Sequence, residues 1–194
     1  MKYFLDTEFI EGFHKPLFGK RRHFIDLISI GIVAEDGREY YAISNEFNAK
    51  DANEWVRTNV IKGLPDKHAD FHDSPRRKQE AQLYKSNSTI SFEVGQFMQK
   101  DKAFFGTEFP EIYGYYADYD WVLFCSLFGR MIDLPKGFPM YCRDLKQIMD
   151  EEFTEDIKKW SGFPAQKDEH NALADARWNK ELHSFIEKFK NVKI

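Results

Sequence analysis

The sequence predicts a mixed α/β domain in which three antiparallel strands precede parallel strands joined by crossover helices. Three observations carry this expectation. The apolar opening segment MKYFLDTEF reads as a central strand over residues 2–9. Next comes FIDLISIGIVAEDGREYYAISNEF, two β-branched and aromatic runs joined across Glu35-Asp36-Gly37-Arg38, whose Asp-Gly is a hairpin signal. From Ile112 onward, short apolar runs alternate with helical patterns, the signature of parallel strands with crossovers.

The elements follow in order. Between the first two strands, residues 12–23 are rich in Gly, Pro and basic residues and read as a loop. Residues 51–63 place Trp55, Val56, Val60 and Ile61 near helical spacing, with a stop at Gly63 and Pro65. The polar stretch 65–76 reads as a loop, and 77–100 as one helix or two, divided near Ser86-Asn87-Ser88. Ile112 to Ala117 is the next strand. Asp120 to Met131 is apolar at helical period and ends before Pro135. Phe138 to Cys142 is a short strand, and Asp144 is a good N-cap for the helix that follows. A final helix starts near Asn171 and runs to about Lys190. In such sheets ligands gather at strand ends and the adjoining helix N-termini.

Composition bounds the function. The 194 residues fit a single domain over 1–194, and 42% hydrophobic with 16% aromatic content excludes a disordered chain. A net charge of −4 excludes a global attraction to nucleic acid, so such binding needs local basic patches or metal ions at an acidic site. The concentrated basic runs are KRRH at 20–23 and PRRK at 75–78. Cys125 and Cys142 form neither a metal-ligand spacing nor a disulfide framework, which suits a reducing cytoplasm. The apolar run after Lys2 meets Asp6 almost at once, so no signal peptide is expected. No apolar segment reaches the roughly 18 residues that span a bilayer. A cytoplasmic protein with no membrane partner is the expectation.

Three clusters carry chemistry. Asp6 and Glu8 stand at i and i+2 of a strand and therefore project on one side. Two carboxylates in an otherwise buried strand are costly unless a cation holds them. The ledge suits Mg²⁺ or Mn²⁺; its plain alternative is a solvated edge-strand pair. In YYADYDWVLFC, Asp120 opens the apolar run and is preferred as a site acid, whereas Asp118 serves as cap or turn. In DEHNALADARW, His170 and Asp175 are five residues apart, about 140° around a regular helix. If both serve one site, His170 must lie on the turn ahead of the helix, with Asn171 as N-cap. Ala172, Ala174 and Ala176 keep that helix thin enough to approach the sheet closely.

Jointly, four acids and one histidine form a two-metal hydrolytic set. Two ions roughly 3.5–4 Å apart can hold the attacking and leaving oxygens of an in-line displacement at phosphorus, with neutral His170 taking the proton of water. Clustered carboxylates without metal should show at least one raised pKa. Phe9 and Tyr119 are best placed for base stacking, with a place in the core as the alternative for each, and Thr7, between the two acids, is a third candidate substrate contact. Tyr141, Cys142 and Asp144 read as structural.

With DTE at 6–8, YADYD ending at Asp120 and HNALAD from His170 to Asp175, the chain resembles the DEDDh exonucleases. The histidine five residues before the last aspartate distinguishes that branch from the tyrosine-bearing one. The segments DTEFIEG, IDLISIGIVAEDGREYYAIS, WVRTNV with the later LP, and YDWVLFCSLFG are similar to the bacterial RNase AS group, 3′-to-5′ exoribonucleases described as preferring polyadenylate. The resemblance implies an RNase H-like fold, two Mg²⁺ ions, release of 5′-mononucleotides from single-stranded RNA, and a homodimer. It implies Asp6, Glu8, Asp120 and Asp175 as metal ligands and His170 as general base. Two departures stand out. Tyr116 occupies a position that is Asn in many relatives, and the loop HKPLFGKRRH is long, adding Lys15, Lys20, Arg21 and Arg22. The alternatives are a single-stranded DNA exonuclease with the same chemistry and a nuclease-like module that binds without cleaving.

Overall fold

The structure, a computed structural model, describes residues 1–14, 18–68, 72–99 and 109–190. Lys15 and Lys100 lie outside the described residues. The strands are β1 (Lys2–His14), β2 (Arg22–Ala34), β3 (Glu39–Ser44), β4 (Tyr84–Lys85), β5 (Glu111–Gly114) and β6 (Arg143–Asp144). The helices are α1 (Glu54–Asn59), α2 (Pro75–Ala81), α3 (Asn87–Gln99), α4 (Asp118–Phe128), α5 (Leu145–Glu152) and α6 (Ala172–Lys190). Among the described residues, these six strands form one sheet in the order β4-β3-β2-β1-β5-β6. The β1–β2 and β2–β3 pairs are antiparallel, and β5 and β6 continue in parallel from β1. This is the predicted mixed sheet, flanked by helices and consistent with an RNase H-like fold.

Alternation along β1 builds both faces. Tyr3 and Leu5 join Leu27, Ile30 and Ile32 under Ile90 and Val94 of α3 and Leu123 and Phe124 of α4. Phe4, with Val33 and Tyr113, packs under Leu145 and Met149 of α5 and Ala176, Leu182 and Ile186 of α6. Ile10 and Ile28 form a third cluster with Val56 and Val60. Burial of this apolar area is the main stabilising contribution. Asp6 and Glu8 occur where this second face would otherwise continue as core.

Several boundaries differ from expectation. Both ends of the loop expected at 12–23 are strand, because β1 and β2, past a register shift between Glu8 and Phe9, pair out to His14 opposite Arg22. Gly12, which suggested a turn, lies opposite Phe24, and a Cβ there would stand 2.8 Å from the Phe24 ring. The expected strand at Phe138–Cys142 is absent; β6 follows it and pairs with Tyr113 and Gly114. Phe138 instead turns inward against Phe124 and Phe128, and Pro139 has no N–H to give a ladder. Helix α1 is shorter than 51–63 and is followed by a 3₁₀ turn at Ile61–Gly63, while Trp55 faces outward, 52% exposed. Helix α2 begins inside the expected loop, with Ser74 as N-cap and Pro75 in its first turn. The 77–100 stretch divides as anticipated, with the short β4 between its helices. Strand β5 stops at Gly114, and α4 starts at Asp118 rather than Asp120 and stops at Phe128, before Gly129 at φ +109°.

Two capping expectations hold. Asp144 accepts from the N–H groups of Lys146 and Gln147 at 2.7 and 3.1 Å. Asn171 Oδ1 accepts from Ala174 N at 3.1 Å and opens α6. That helix sits unusually close to the sheet. A Cβ on Gly31 would come within 2.2 Å of the Ala172 carbonyl oxygen, so only glycine fits where α6 crosses β2. Asn179 then donates to the Leu5 carbonyl at 2.9 Å, fixing the rotation of α6 against β1. No described helix is long and apolar enough to cross a membrane.

Candidate active site

The close crossing at Gly31 brings the first turn of α6 onto the carboxylate ledge. Asp6 is paired with Gly31 and Glu8 with Ser29, so the gap that Gly31 leaves opens directly beside Asp6. The Ala172–Leu173 backbone fills it, and Asp175, 7% exposed, comes from the same first turn of α6. Asp6, Glu8 and Asp175 each offer a carboxylate oxygen, and these oxygens lie within 4.8 Å of one another. Asp120 approaches from α4 and is equally buried. Its Oδ1 accepts from the Thr7 N–H at 2.7 Å and the Thr7 hydroxyl at 2.6 Å. The structure thus brings together all four acids named from sequence, three as one cluster and the fourth beside Asp6.

Burial without a counter-charge dominates the electrostatics. Among the described residues, no lysine or arginine pairs with any of the four acids. Burial raises the Asp6 carboxyl well above its ordinary range, and the charges of Asp120, Asp175 and Glu8 raise it further. Glu8 is pushed up to about 8 by burial and then by Asp175 and Asp120. Asp120 rises to about 6 through burial, against the lowering effect of its Thr7 hydrogen bonds. Burial also raises Asp175, while hydrogen bonds from Gln166 and His170 hold it down. Such a set of hard oxygen donors, closely spaced and carrying unfavourable charge, fits a divalent cation of the Mg²⁺ or Mn²⁺ type.

His170 lies ahead of α6 with a left-handed backbone, φ +69°. Its N–H donates to Asp175 Oδ2 at 3.0 Å, so the fifth residue before the aspartate returns to the same site. The His170 ring meets Trp55 edge to face at 4.7 Å. Gln166 donates from Nε2 to Asp175 Oδ1 at 2.6 Å. Neither Trp55 nor Gln166 is visible as a site residue in the sequence. Trp55 reads as one apolar position of a helix, and no spacing rule joins Gln166 to Asp175.

The remaining candidates occupy different positions. Thr7 is buried, 5% exposed, with its hydroxyl engaged by Asp120. Phe9 packs partly against the core and meets Tyr119 edge to face at 5.6 Å. Tyr119 is 43% exposed beside Asp120. Asp118 is the first residue of α4, whose N-cap is Ala117, and Asp144 Oδ2 accepts from the Ala117 N–H at 2.7 Å. Asp144 is therefore structural at both ends of its carboxylate.

Residues 1–187 match the family model described as the 3′-5′ exoribonuclease Rv2179c-like domain. Two relatives from Mycobacterium tuberculosis are each 38% identical over 177 residues, covering 91% of this chain and 88% of the relative. They are the 3′-5′ exoribonuclease Rv2179c of strain H37Rv and the 3′-5′ exoribonuclease MT2234.1 of strain CDC 1551.

Proposed function

This chain belongs to the Rv2179c-like 3′-5′ exoribonuclease family, and on that basis we propose that it shortens single-stranded RNA at the Asp6–Glu8–Asp120–Asp175 cluster. The observation that carries the assignment of the site is the convergence of three carboxylates, half-buried or buried and without a cationic partner among the described residues, within 4.8 Å. Asp6, Glu8 and Asp175 would hold one divalent ion and Asp120, next to Asp6, would help hold a second. Two bound Mg²⁺ ions, or Mn²⁺ in their place, would acidify water and neutralise charge on the attacked phosphate and its leaving oxygen.

The chain's own groups supply the rest. The ring of His170 takes the proton of the attacking water as its oxygen bonds to phosphorus. The P–O3′ bond breaks, the 3′ oxygen of the shortened strand gains a proton, and a 5′-mononucleotide leaves. Gln166 and the His170 N–H keep Asp175 oriented, and Trp55 limits the swing of the His170 ring. Tyr119, 43% exposed and braced edge to face by Phe9, would stack a terminal base, and Thr7 contributes by fixing Asp120 rather than by exposed surface. The spacing of His170 and Asp175 supports the DEDDh class, and the hairpin segment supports an RNase AS-like preference for A-rich strands. A homodimer is proposed on the same resemblance, and a cytoplasmic setting on the free thiols of Cys125 and Cys142.

The test is digestion of matched 3′-labelled RNA and DNA homopolymers with Mg²⁺, with Asp175→Ala and His170→Ala beside the wild type. Asp175→Ala should abolish cleavage, and His170→Ala should slow it about 10²- to 10⁴-fold. Wild-type rates in either variant would remove that residue from the chemistry, and faster loss of DNA would make the chain a DNA exonuclease.

A further inference from the structure

The β1–β2 hairpin does not stop at the carboxylates. Six β1 residues beyond Glu8 stay paired as far as His14 opposite Arg22, an arm of roughly 20 Å at strand rise. We propose that this arm is a second RNA-binding site, gripping the single strand several nucleotides upstream of the cleaved bond. The proposal rests on the exoribonuclease reading, since it takes the polymer fed to Asp6 and Glu8 to be RNA.

Charge is the first argument. Residues 12–24 contain four lysines and arginines and no acid, within a chain whose net charge is −4. Lys20, Arg21 and Arg22 are exposed and, among the described residues, have no carboxylate partner. The other basic run differs. Arg76 pairs with Glu80 at 2.8 Å, and Arg77 with Asp66 and Asp73 at 2.7 and 2.9 Å. That run is neutralised where it stands, whereas the arm holds cations open to a polyanion.

The rings are the second argument. Phe9, Tyr119, His23 and Phe13 follow one another with centroid separations of 5.6, 6.4 and 5.5 Å. The row starts beside Asp120 and runs outward. Glu11 Oε1 accepts from the Tyr119 hydroxyl at 3.4 Å and lies 2.8 Å from His23 Nε2, which orients both rings. Phe13 is 58% exposed. At the tip, His14, Phe18, Gly19, Lys20 and Arg22 line a cavity of about 450 Å³, and Phe18 is 88% exposed. A row of rings that leads from Asp120 to free cations at the tip offers both stacking surfaces for bases and charge for phosphates of a single strand. A protein partner would find little aliphatic surface among the described residues of this arm.

Binding is measured in EDTA, where no strand is cut, using the full chain, a dinucleotide and a long oligoadenylate over a series of salt concentrations. Wild type should hold the long strand more tightly than the dinucleotide. Combined Lys20→Gln, Arg21→Gln and Arg22→Gln should narrow that difference about tenfold or more and reduce the salt slope by about 2, for three lost phosphate contacts. Phe13→Ala with His23→Ala should narrow the difference while leaving the salt slope near that of wild type. Long-strand affinity unchanged in the charge variant overturns the proposal and turns the arm toward another partner. Equal losses for dinucleotide and long strand overturn it too, since the arm would then support only the carboxylate site. If wild type cuts no RNA in Mg²⁺, the exoribonuclease reading fails by itself, and the arm is still judged by binding in EDTA.

Discussion

Tyr116 pays a backbone cost that its neighbours do not. It holds φ at +55°, a left-handed conformation that asparagine tolerates and an aromatic residue does not favour. It sits where β5 turns into α4, and its side chain is 64% exposed, so little packing offsets the cost. Tyr116→Asn should therefore raise stability by about 1 kcal/mol, read as a higher urea midpoint; an unchanged midpoint would show that the Tyr115–Tyr116 ring contact compensates fully. Residues of the site were legible to different degrees. Asp6 and Glu8 declare themselves because strand alternation alone puts them together. His170 and Asp175 required a break in the helix, and the positive φ of His170 supplies it. Gln166 and Trp55 act through space on these two residues, and a linear pattern holds no trace of that.

At the scale of elements, α6 is the part whose placement decides the site. Gly31 admits its first turn and Asn179 fixes its rotation, so Asp175 meets Asp6 through the contact of a helix and a strand far apart in the chain. Gly31→Ala should destabilise the fold by about 1–3 kcal/mol through overpacking, and RNA hydrolysis should fall further than the lost stability explains. A variant that unfolds at lower urea but cleaves at the wild-type rate would detach the crossing from catalysis. Features made by nearby residues were readable in advance: the Asp36-Gly37 turn, the Asp144 cap and the Asn171 cap. The outer half of β1 and the position of β6 were not, because each depends on a partner strand that sequence does not name. Gly12 suggested a turn, yet its role is to make room for the Phe24 ring.

For the whole molecule, three separate elements are tied together by a knot of like charge. Glu8 rises from 4.5 to about 8 and Asp120 from 3.8 to about 6, so the folded chain binds more protons than the unfolded one. Stability from these groups is present below their unfolded values and is lost as pH rises through their folded ones. His183, lowered by burial, acts oppositely but only below its ordinary value of 6.5. The clean window is therefore 6.5 to about 8. In EDTA, Tm should fall across it by several degrees, and millimolar Mg²⁺ should raise Tm and flatten the decline. A Tm that ignores both pH and Mg²⁺ would argue against a shared cation site. One feature reaches beyond stability. Because one hairpin carries the carboxylates on β1 and open cations at its tip, that hairpin is a ruler laid beside the transcript. A substrate spanning both points keeps one hold while the other resets, favouring processive trimming; once shorter than the arm, it has a single hold and is released between cuts.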